Sequence, residues 1–211
     1  MYKVYLLGGE SICKRDGEHV NKRAFSDAGE SPEVLVFTWA RANFDKTYQR
    51  QKLVYDYLRY LGANSVTVVD YSISHQELRE LFSQADLIYL TGGSPSILIE
   101  RFRHVNMDVL LKDFNGVIVG RSAGALALCT QCVVTLRATK QAKLVDGLGI
   151  VNLTMSAHYT CKKDEQLKRL SVGNQFFAVP KGSALIYTEE GSLSYINDVF
   201  LFKNGKRNLM M

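Results

Sequence analysis

Short apolar runs alternate with helix-like segments up to Ala138, and this alternation restricts the folds that the chain can adopt. Strand-like runs occur at residues 1–7, 33–38, 65–70, 86–90 and 117–120. Helical spacing or helix-capping residues follow the second, third and fourth of them. Strands that alternate with helices form a mainly parallel sheet with helices packed on both faces. The sequence therefore predicts an α/β protein with three layers, αβα, around one central sheet.

The helical segments differ in how clearly their ends are marked. Residues 44–61 carry apolar side chains at helical spacing. A capping box opens the next helix at Ser74, and Ser94 followed by proline opens another. Residues 10–32 are polar and lack a periodic pattern, so they are predicted to be irregular. Further along, we predict a helix over residues 160–172. Strands of closing hairpins are predicted near residues 176–179, 184–187, 193–196 and 199–202.

Composition places the chain among globular proteins. Its 211 residues are 46% hydrophobic and 22% charged, which is typical of a chain with one sizeable core. We find no linker or internal repeat, so residues 1–211 are predicted to form a single domain. No apolar run approaches the ~20 residues of a membrane helix, and the apolar start is too short for a signal peptide. The sequence thus predicts a soluble, cytoplasmic protein with no membrane partner.

The positive charge is spread thinly along the sequence. The formal charge is +5, and the basic clusters are short, as at residues 162–163 and 203–207. A nucleic-acid-binding protein is expected to carry a concentrated basic stripe or a recognisable module. We therefore predict no nucleic-acid partner. Assembly into a homodimer is left open by the sequence.

The pattern G-x-S-x-G at residues 120–124 is the strongest indication of chemistry. It lies between a β-branched apolar run and a helix-forming run, as in the nucleophile elbow of hydrolases. In such a strained turn the hydroxyl of Ser122 projects above the sheet, and the N–H of Ala123 points at a developing oxyanion. Small residues also occur in ordinary strand-to-helix turns, so the pattern alone is a weak signal. Its position between a strand and a helix-forming run strengthens it. Together they predict Ser122 as a nucleophile.

A serine nucleophile needs a base, and histidine is the usual base at neutral pH. Of the histidines, His158 follows an apolar run and lies at the predicted strand-end edge that also holds the elbow. His75 and His104 suit surface positions at helix ends, and His19 lies in the polar early loop. We therefore predict that Ser122 and His158 form a pair.

A second glycine-rich turn, Gly92-Gly93-Ser94, also follows a strand and begins a helix. Its backbone N–H groups, at Gly93 above all, could complete an oxyanion hole, and an ordinary turn is the alternative. The sequence contains neither G-x-G-x-x-G nor a P-loop, so nucleotide binding has little support. No cofactor is predicted.

Several short segments together resemble one family of enzymes. They are Val36-Phe37-Thr38-Trp39-Ala40, Leu90-Thr91-Gly92-Gly93, Gly120-Arg121-Ser122-Ala123-Gly124-Ala125 and Ala157-His158-Tyr159. In this order they resemble the peptidase S51 family, which includes aspartyl dipeptidase (dipeptidase E) and cyanophycinase, and the chain looks like a divergent member. The resemblance implies a fold similar to class I glutamine amidotransferases and a serine hydrolase that cleaves a small peptide or isopeptide. It also implies that Ser122 is the nucleophile, His158 the base, and Gly93 and Ala123 the oxyanion donors.

The family's preference for aspartyl groups implies a cation that binds the substrate carboxylate. Arg121, beside the nucleophile, and Arg41, at the end of the second strand, are the candidates by predicted position. Arginine suits this task because its planar guanidinium binds carboxylates bidentately. The alternative is an outward-pointing Arg121 that pairs with surface acids.

One position departs from the family pattern. In the family, an acid that orients the histidine precedes a Gly-Thr-Ala-Leu-like run, whereas Lys181 stands before Gly182-Ser183-Ala184-Leu185 here. A lysine ammonium can only donate hydrogen bonds, and its charge disfavours an imidazolium. Glu189 and Glu190 are near in sequence, although a solvated hairpin turn explains them more simply. The third triad member is therefore unassigned, and a weak or inactive binding module is the alternative function.

The cysteines raise a third interpretation, a zinc-stabilised domain. Cys129, Cys132, His158 and Cys161 have the ligand types and pair spacings of a Cys₃His site. Cys129 is predicted at the far end of the elbow helix, away from His158. Buried, reduced cysteines are also common in a reducing compartment. We therefore predict no bound metal.

Overall fold

The computed structural model describes residues 2–41, 49–135 and 141–210. The helices of this part of the chain are α1 (Glu18–Ala28), α2 (Gln49–Tyr60), α3 (His75–Gln84), α4 (Pro95–His104), α5 (Met107–Asp113), α6 (Ala123–Leu128) and α7 (Asp164–Leu170). Short 3₁₀ turns lie at Ile12–Lys14 and Cys161–Lys163. The strands are β1 (Lys3–Leu7), β2 (Glu33–Phe37), β3 (Ser65–Val69), β4 (Leu87–Leu90), β5 (Val117–Arg121), β6 (Cys129–Thr135), β7 (Ala142–Asp146), β8 (Val151–Ala157), β9 (Gln175–Val179), β10 (Ala184–Thr188), β11 (Leu193–Ile196), β12 (Phe200–Lys203) and β13 (Lys206–Leu209).

The first sheet is mainly parallel, as the sequence predicts. Its seven strands follow the order β11-β10-β1-β5-β4-β2-β3. The strands from β1 to β3 in this order pair in parallel, whereas β10 and β11 are antiparallel additions at one edge. Leu7 pairs with Arg121, and Leu90 pairs with Gly120, so β1, β5 and β4 end side by side. The loops that follow these strands are therefore neighbours.

Helices cover both faces of this sheet because side chains alternate along each strand. In β1, Val4 and Leu6 belong to the core shared with α3, α4, α5 and α6. Tyr5 and Leu7 point to the other face, where α1 and α2 pack. The predicted αβα fold class is therefore confirmed.

A second sheet contains most of the chain after α6, and the sequence analysis did not predict it. Its six strands follow the order β13-β12-β9-β8-β6-β7, with β6, β8 and β9 in parallel. The predicted closing hairpin is correct for β10 and β11, but β9 pairs with β8 and β12 instead. Contacts such as Met155 with Phe177 join distant segments, and local sequence patterns do not encode such partners. The second sheet carries the residue after β8, His158, to the first sheet.

The expectation for residues 10–32 is wrong, because this region contains α1. The buried face of α1 consists of Val20, Asn21, Ala24 and Phe25. An asparagine in that face interrupts the apolar spacing by which a helix is recognised.

The other predicted helices hold with adjusted bounds. The helix expected over residues 44–61 is α2, and its predicted residues 44–48 lie outside the described residues. Ser74 and Glu77 form the predicted capping box, and Ser94 caps α4 as expected. Within the described ranges, we find no helix with the length and apolar character needed to cross a membrane.

Candidate active site

Ser122 lies in a strained turn between β5 and α6. Its φ of 54° and ψ of −105° are unusual for a residue with a side chain. The turn is tight, because a Cβ added at Gly120 would lie 2.6 Å from the Ala125 nitrogen, and one at Gly124 would lie 2.4 Å from the Leu90 oxygen. Both glycines are therefore required by close backbone contacts. Ser122 therefore lies at a strained strand-to-helix turn between two closely packed glycines.

His158 is held against Ser122 by backbone contacts of the first loop. Its N–H donates to the Gly8 oxygen at 2.8 Å, and its own φ is 52°. The imidazole packs on Gly9, where an added Cβ would lie only 2.2 Å from Cε1. In this position Nε2 of His158 is 2.6 Å from Oγ of Ser122. The structure thus brings together the two residues that the sequence pairs.

The environment of His158 favours a neutral imidazole. Burial lowers the pKa of His158, and the positive charges of Lys181, Lys163 and Arg121 lower it further. For Nε2 to accept the Ser122 proton, the hydrogen of the neutral ring must be on Nδ1. Nδ1 is buried and has no hydrogen-bond partner among the described residues. The histidine therefore has a serine on one side and, among the residues that the structure describes, no acceptor on the other.

The structure places none of Lys181, Glu189 and Glu190 where it could accept a hydrogen bond from His158. Lys181 is exposed in the turn after β9, where the Gly182 N–H donates to the Gly9 oxygen at 3.0 Å. Its charge acts on His158 from that turn. Glu189 and Glu190 follow β10, which pairs Thr188 with Lys3 at the opposite end of the sheet. They lie a full strand length from Ser122.

The second glycine-rich turn lies directly beside the elbow. A Cβ added at Gly92 would lie 3.5 Å from Cβ of Ser122. Gly93 is packed more tightly, because an added Cβ would lie 2.3 Å from the Ala40 oxygen. On the other flank, Ala123 is the first residue of α6, so its N–H has no partner within the helix. The two backbone groups predicted as oxyanion donors thus come from turns that meet at Ser122.

The two predicted arginines have different surroundings. The Arg121 side chain is 14% exposed and forms an ion pair with Glu10, with Nη1 3.9 Å from Oε1. It does not point outward to surface acids. The carbonyl of Arg41 accepts a hydrogen bond from Arg101, whose Nη1 also donates to the Trp39 oxygen at 2.7 Å. Arg41 therefore lies against α4, at the end of a described range.

Glu10 is a residue of this region that the sequence analysis missed. Its side chain is fully buried, and burial raises the pKa of its carboxyl group. An acid directly after a strand and two glycines, in a run otherwise assigned to an irregular loop, was the one available signal. The identity of its partners could not be derived from that signal.

The structure does not assemble the proposed zinc ligands. Cys129 is buried and donates to the Ala125 oxygen at 3.3 Å. Burial raises the pKa of the Cys132 thiol to about 11, which disfavours the thiolate that zinc binds. Cys161 is exposed, and His158 contacts Ser122 instead. Over residues 2–41, 49–135 and 141–210, no group of three or more His, Cys, Asp or Glu side chains could hold a metal ion.

One protein-family model and several solved structures match this chain. The model of peptidase family S51 matches residues 6–201. A peptidase from an acI-B1 Actinobacterium is 18% identical with a TM-score of 0.70, and the match covers 100% of this chain and 94% of that one. A putative peptidase E protein from Listeria monocytogenes EGD-e is 16% identical with a TM-score of 0.71, covering 93% of this chain and 98% of that one. No curated protein sequence matches the chain.

The fold and site define a class of protein: a three-layer α/β protein with a serine at a strand-to-helix elbow and a histidine in contact with it. At these low identities the two structural similarities establish the fold alone. The family match extends over nearly the whole chain. The protein belongs to peptidase family S51, a family of serine peptidases.

Proposed function

We propose that the protein is a serine peptidase in which Ser122 is the nucleophile and His158 the general base. The observation that carries this proposal is the 2.6 Å separation of Oγ and Nε2. It occurs at a turn whose positive φ exposes the serine, where strain is typical of functional positions. Membership of family S51 supports the same reaction class.

The proposed reaction has two halves. As Oγ of Ser122 forms a bond to the carbonyl carbon of the scissile amide, Nε2 of His158 accepts the hydroxyl proton. The C–N bond then breaks, and His158 returns the proton to the leaving amine, so that an ester remains on Ser122. Water attacks this ester with His158 again as base, which releases the carboxylic acid and restores the serine. The N–H groups of Gly93 and Ala123 hold the oxyanion, each contributing ~3 kcal/mol.

In this proposal, packing replaces the acid that orients the histidine. The ring of His158 rests on Gly9, and its backbone is tied to the Gly8 oxygen. These contacts limit ring rotation, but they provide no negative charge to stabilise the imidazolium. We therefore expect slow turnover compared with a complete triad.

The proposed substrate is a small peptide or isopeptide with an aspartyl group. Arg121 lies beside Ser122, and part of its side chain is exposed. Arg41 is the second proposed contact, on the loop that packs against Gly93. The cysteines are all free thiols, which is typical of the cytoplasm, the proposed compartment.

A non-catalytic binding module on the same fold is the second candidate. The observation that favours it is that Nδ1 of His158 finds no hydrogen-bond partner in the described part of the chain. Lys181 also stands where the resemblance to the family implies an acid. In such a protein the residues around Ser122 would still bind an acidic peptide, but Ser122 would not react.

Labelling with a fluorophosphonate probe separates the two candidates. The proposal predicts one covalent adduct per chain, located at Ser122 by mass spectrometry. Ser122→Ala should abolish the adduct, whereas Ser83→Ala, which changes an exposed serine of α3, should not. A folded protein that acquires no adduct would instead support the binding module.

A further inference from the structure

A carboxylate is buried beside Arg121, the residue before the proposed nucleophile, and the proposed reaction does not use it. Glu10 lies in the loop after β1, directly after the glycine on which His158 packs. Its side chain is 0% exposed. Burial of a carboxylate is costly, and replacing a buried ion pair by apolar side chains of similar volume often leaves the stability unchanged or higher. The position of Glu10 therefore needs a reason beyond stability.

Neutral donors from separate elements hold the Glu10 carboxylate. Tyr89 of β4 donates to Oε1 through its hydroxyl. Asn21 of α1 donates to Oε2 through Nδ2 at 2.8 Å, and the hydroxyl of Tyr57 of α2 is 3.4 Å from the same oxygen. The space is shaped for this carboxylate, because a Cβ added at Gly17 would lie 2.6 Å from Oε2. Glu10 is thus held between the sheet strand β4 and the two helices α1 and α2 that pack on it.

The cation that faces this carboxylate is Arg121. Its Nη1 is 3.9 Å from Oε1 of Glu10, which is an ion pair without a hydrogen bond. Its Nε is 3.7 Å from the position of a Cβ added at Gly92, the residue that packs beside Ser122. The structure shows no hydrogen bond from this guanidinium to any residue within the described ranges, and 14% of the side chain is exposed. Its donors are therefore available to an acceptor on a ligand beside Ser122.

We propose that Glu10 is a positioning residue whose buried carboxylate holds Arg121 beside Ser122, where the guanidinium binds an acidic group of the ligand. This rests on the proposed function for the location of the ligand beside Ser122. A free arginine side chain samples many rotamers, and a fixed counter-ion restricts them before the ligand arrives. The ligand is a small molecule or peptide with a carboxylate, such as an N-terminal aspartyl group. Glu10 itself does not touch it.

Charge gives this arrangement a second consequence. The groups that face Glu10 are Arg121, Tyr89, Tyr57 and Asp16. Those that face His158 are Lys181, Lys163 and Arg121. Arg121 thus belongs to both sets. Loss of the Glu10 charge leaves Arg121 uncompensated, so Glu10→Gln should lower the pKa of His158 further.

A double-mutant cycle tests whether Glu10 acts through Arg121. Calorimetry would measure binding of L-aspartate and of L-asparagine, whose side-chain amide is uncharged, to the full chain, Glu10→Gln, Arg121→Gln and the double variant. We expect the full chain to prefer aspartate and Arg121→Gln to lose that preference. Glu10→Gln should weaken aspartate binding by about tenfold and leave asparagine nearly unchanged. In the Arg121→Gln background, Glu10→Gln should have no further effect.

Asp27→Asn is the matched control. Asp27 also accepts a hydrogen bond from a buried tyrosine, Tyr5, and its ion pair with Lys3, at 3.0 Å, lies at the other end of β1 from Arg121. It should leave both affinities unchanged. If Glu10→Gln does not fold, Tyr89→Phe removes one donor to Glu10 and retains both charges, and it should weaken aspartate binding severalfold.

Three results would overturn the proposal. The first is equal affinity of the full chain for aspartate and asparagine, and the second is an unchanged preference for aspartate in folded Glu10→Gln. The last is an equal loss of aspartate affinity when Glu10→Gln is made in the full chain and in Arg121→Gln. A purely structural Glu10 would give the last result and would leave the pKa of His158, read from the NMR shift of Cε1, unaltered. Binding does not require Ser122 to react. A failure of fluorophosphonate labelling therefore contradicts the proposed peptidase and leaves the result for Glu10 to be decided by this cycle.

Discussion

The two groups that flank Ser122, His158 and Arg121, differ in the charges that surround them. On the His158 side, Lys181, Lys163 and Arg121 lower the pKa of the imidazole, and its buried Nδ1 lacks an acceptor within the described ranges. On the Arg121 side, the Glu10 carboxylate has hydrogen-bond donors and a cation. The buried acid of this site therefore faces an arginine, and the orientation of the histidine depends on packing.

The largest expected effect comes from placing an acid on the histidine side. Lys181→Glu removes a cation that lowers the pKa of His158 and introduces a carboxylate at the same position. We expect the rate of hydrolysis of an aspartyl anilide to rise, by up to ~10⁴-fold if the carboxylate reaches the ring, by analogy with the serine-protease triad. Because the pKa of His158 should also rise, the acid limb of the pH–rate profile should move to higher pH.

Lys203→Glu is the control for this variant, since it makes the same charge change at an exposed position of the second sheet. It should leave both rate and profile unchanged. A Lys181→Glu protein that folds but gains no rate and keeps its acid limb would show that position 181 does not govern the histidine.

The next largest effect concerns the proposed oxyanion donor, the backbone N–H of Gly93. Gly93→Ala places a methyl group 2.3 Å from the Ala40 oxygen, so the loop must shift. We expect kcat to fall by about 10²-fold, as for loss of one oxyanion donor. Gly92→Ala is the matched control, because its Cβ meets Ser122 at 3.5 Å, an ordinary contact. Equal kcat values for the two folded variants would place the oxyanion donor elsewhere.

The smallest effect comes from a cation that remains on the histidine side. Lys163 is half-buried, donates to the Ala157 oxygen at 3.3 Å and lowers the pKa of His158. Lys163→Gln should therefore raise that pKa, so the acid limb of kcat/KM should move to higher pH by a fraction of a pH unit. Lys162→Gln, the exposed neighbour, should leave the limb in place. A shift to lower pH in Lys163→Gln would contradict the assigned charge environment.

Local patterns predicted the parts of this site that depend on local geometry. The turn at Ser122 follows from glycine spacing between a strand and a helix, and the helix starts at Ser74 and Ser94 follow from capping residues. The parallel pairing of the strands β1 to β5 follows from the alternation of strands and helices along the chain. Each of these features is determined by residues that are close in sequence.

The missed features depend on contacts between distant segments. Glu10 receives a hydrogen bond from Tyr89, and α1 buries Asn21 against that same carboxylate. A single glutamate in a polar run carries no sign of such partners. The second sheet was missed for the same reason, because Met155 finds Phe177 only in the folded chain. Its absence from the expected fold did not affect the pairing of His158 with Ser122, which was inferred from the edge where strands end.

The central claim, that His158 activates Ser122, is tested most directly by the rate of fluorophosphonate labelling. The full chain should form the adduct at Ser122 with a rate that rises with pH as His158 loses its proton. His158→Ala should slow that rate by about 10²-fold or more, and His75→Ala, at an exposed helix start, should not. An equal labelling rate in the full chain and folded His158→Ala would contradict the claim.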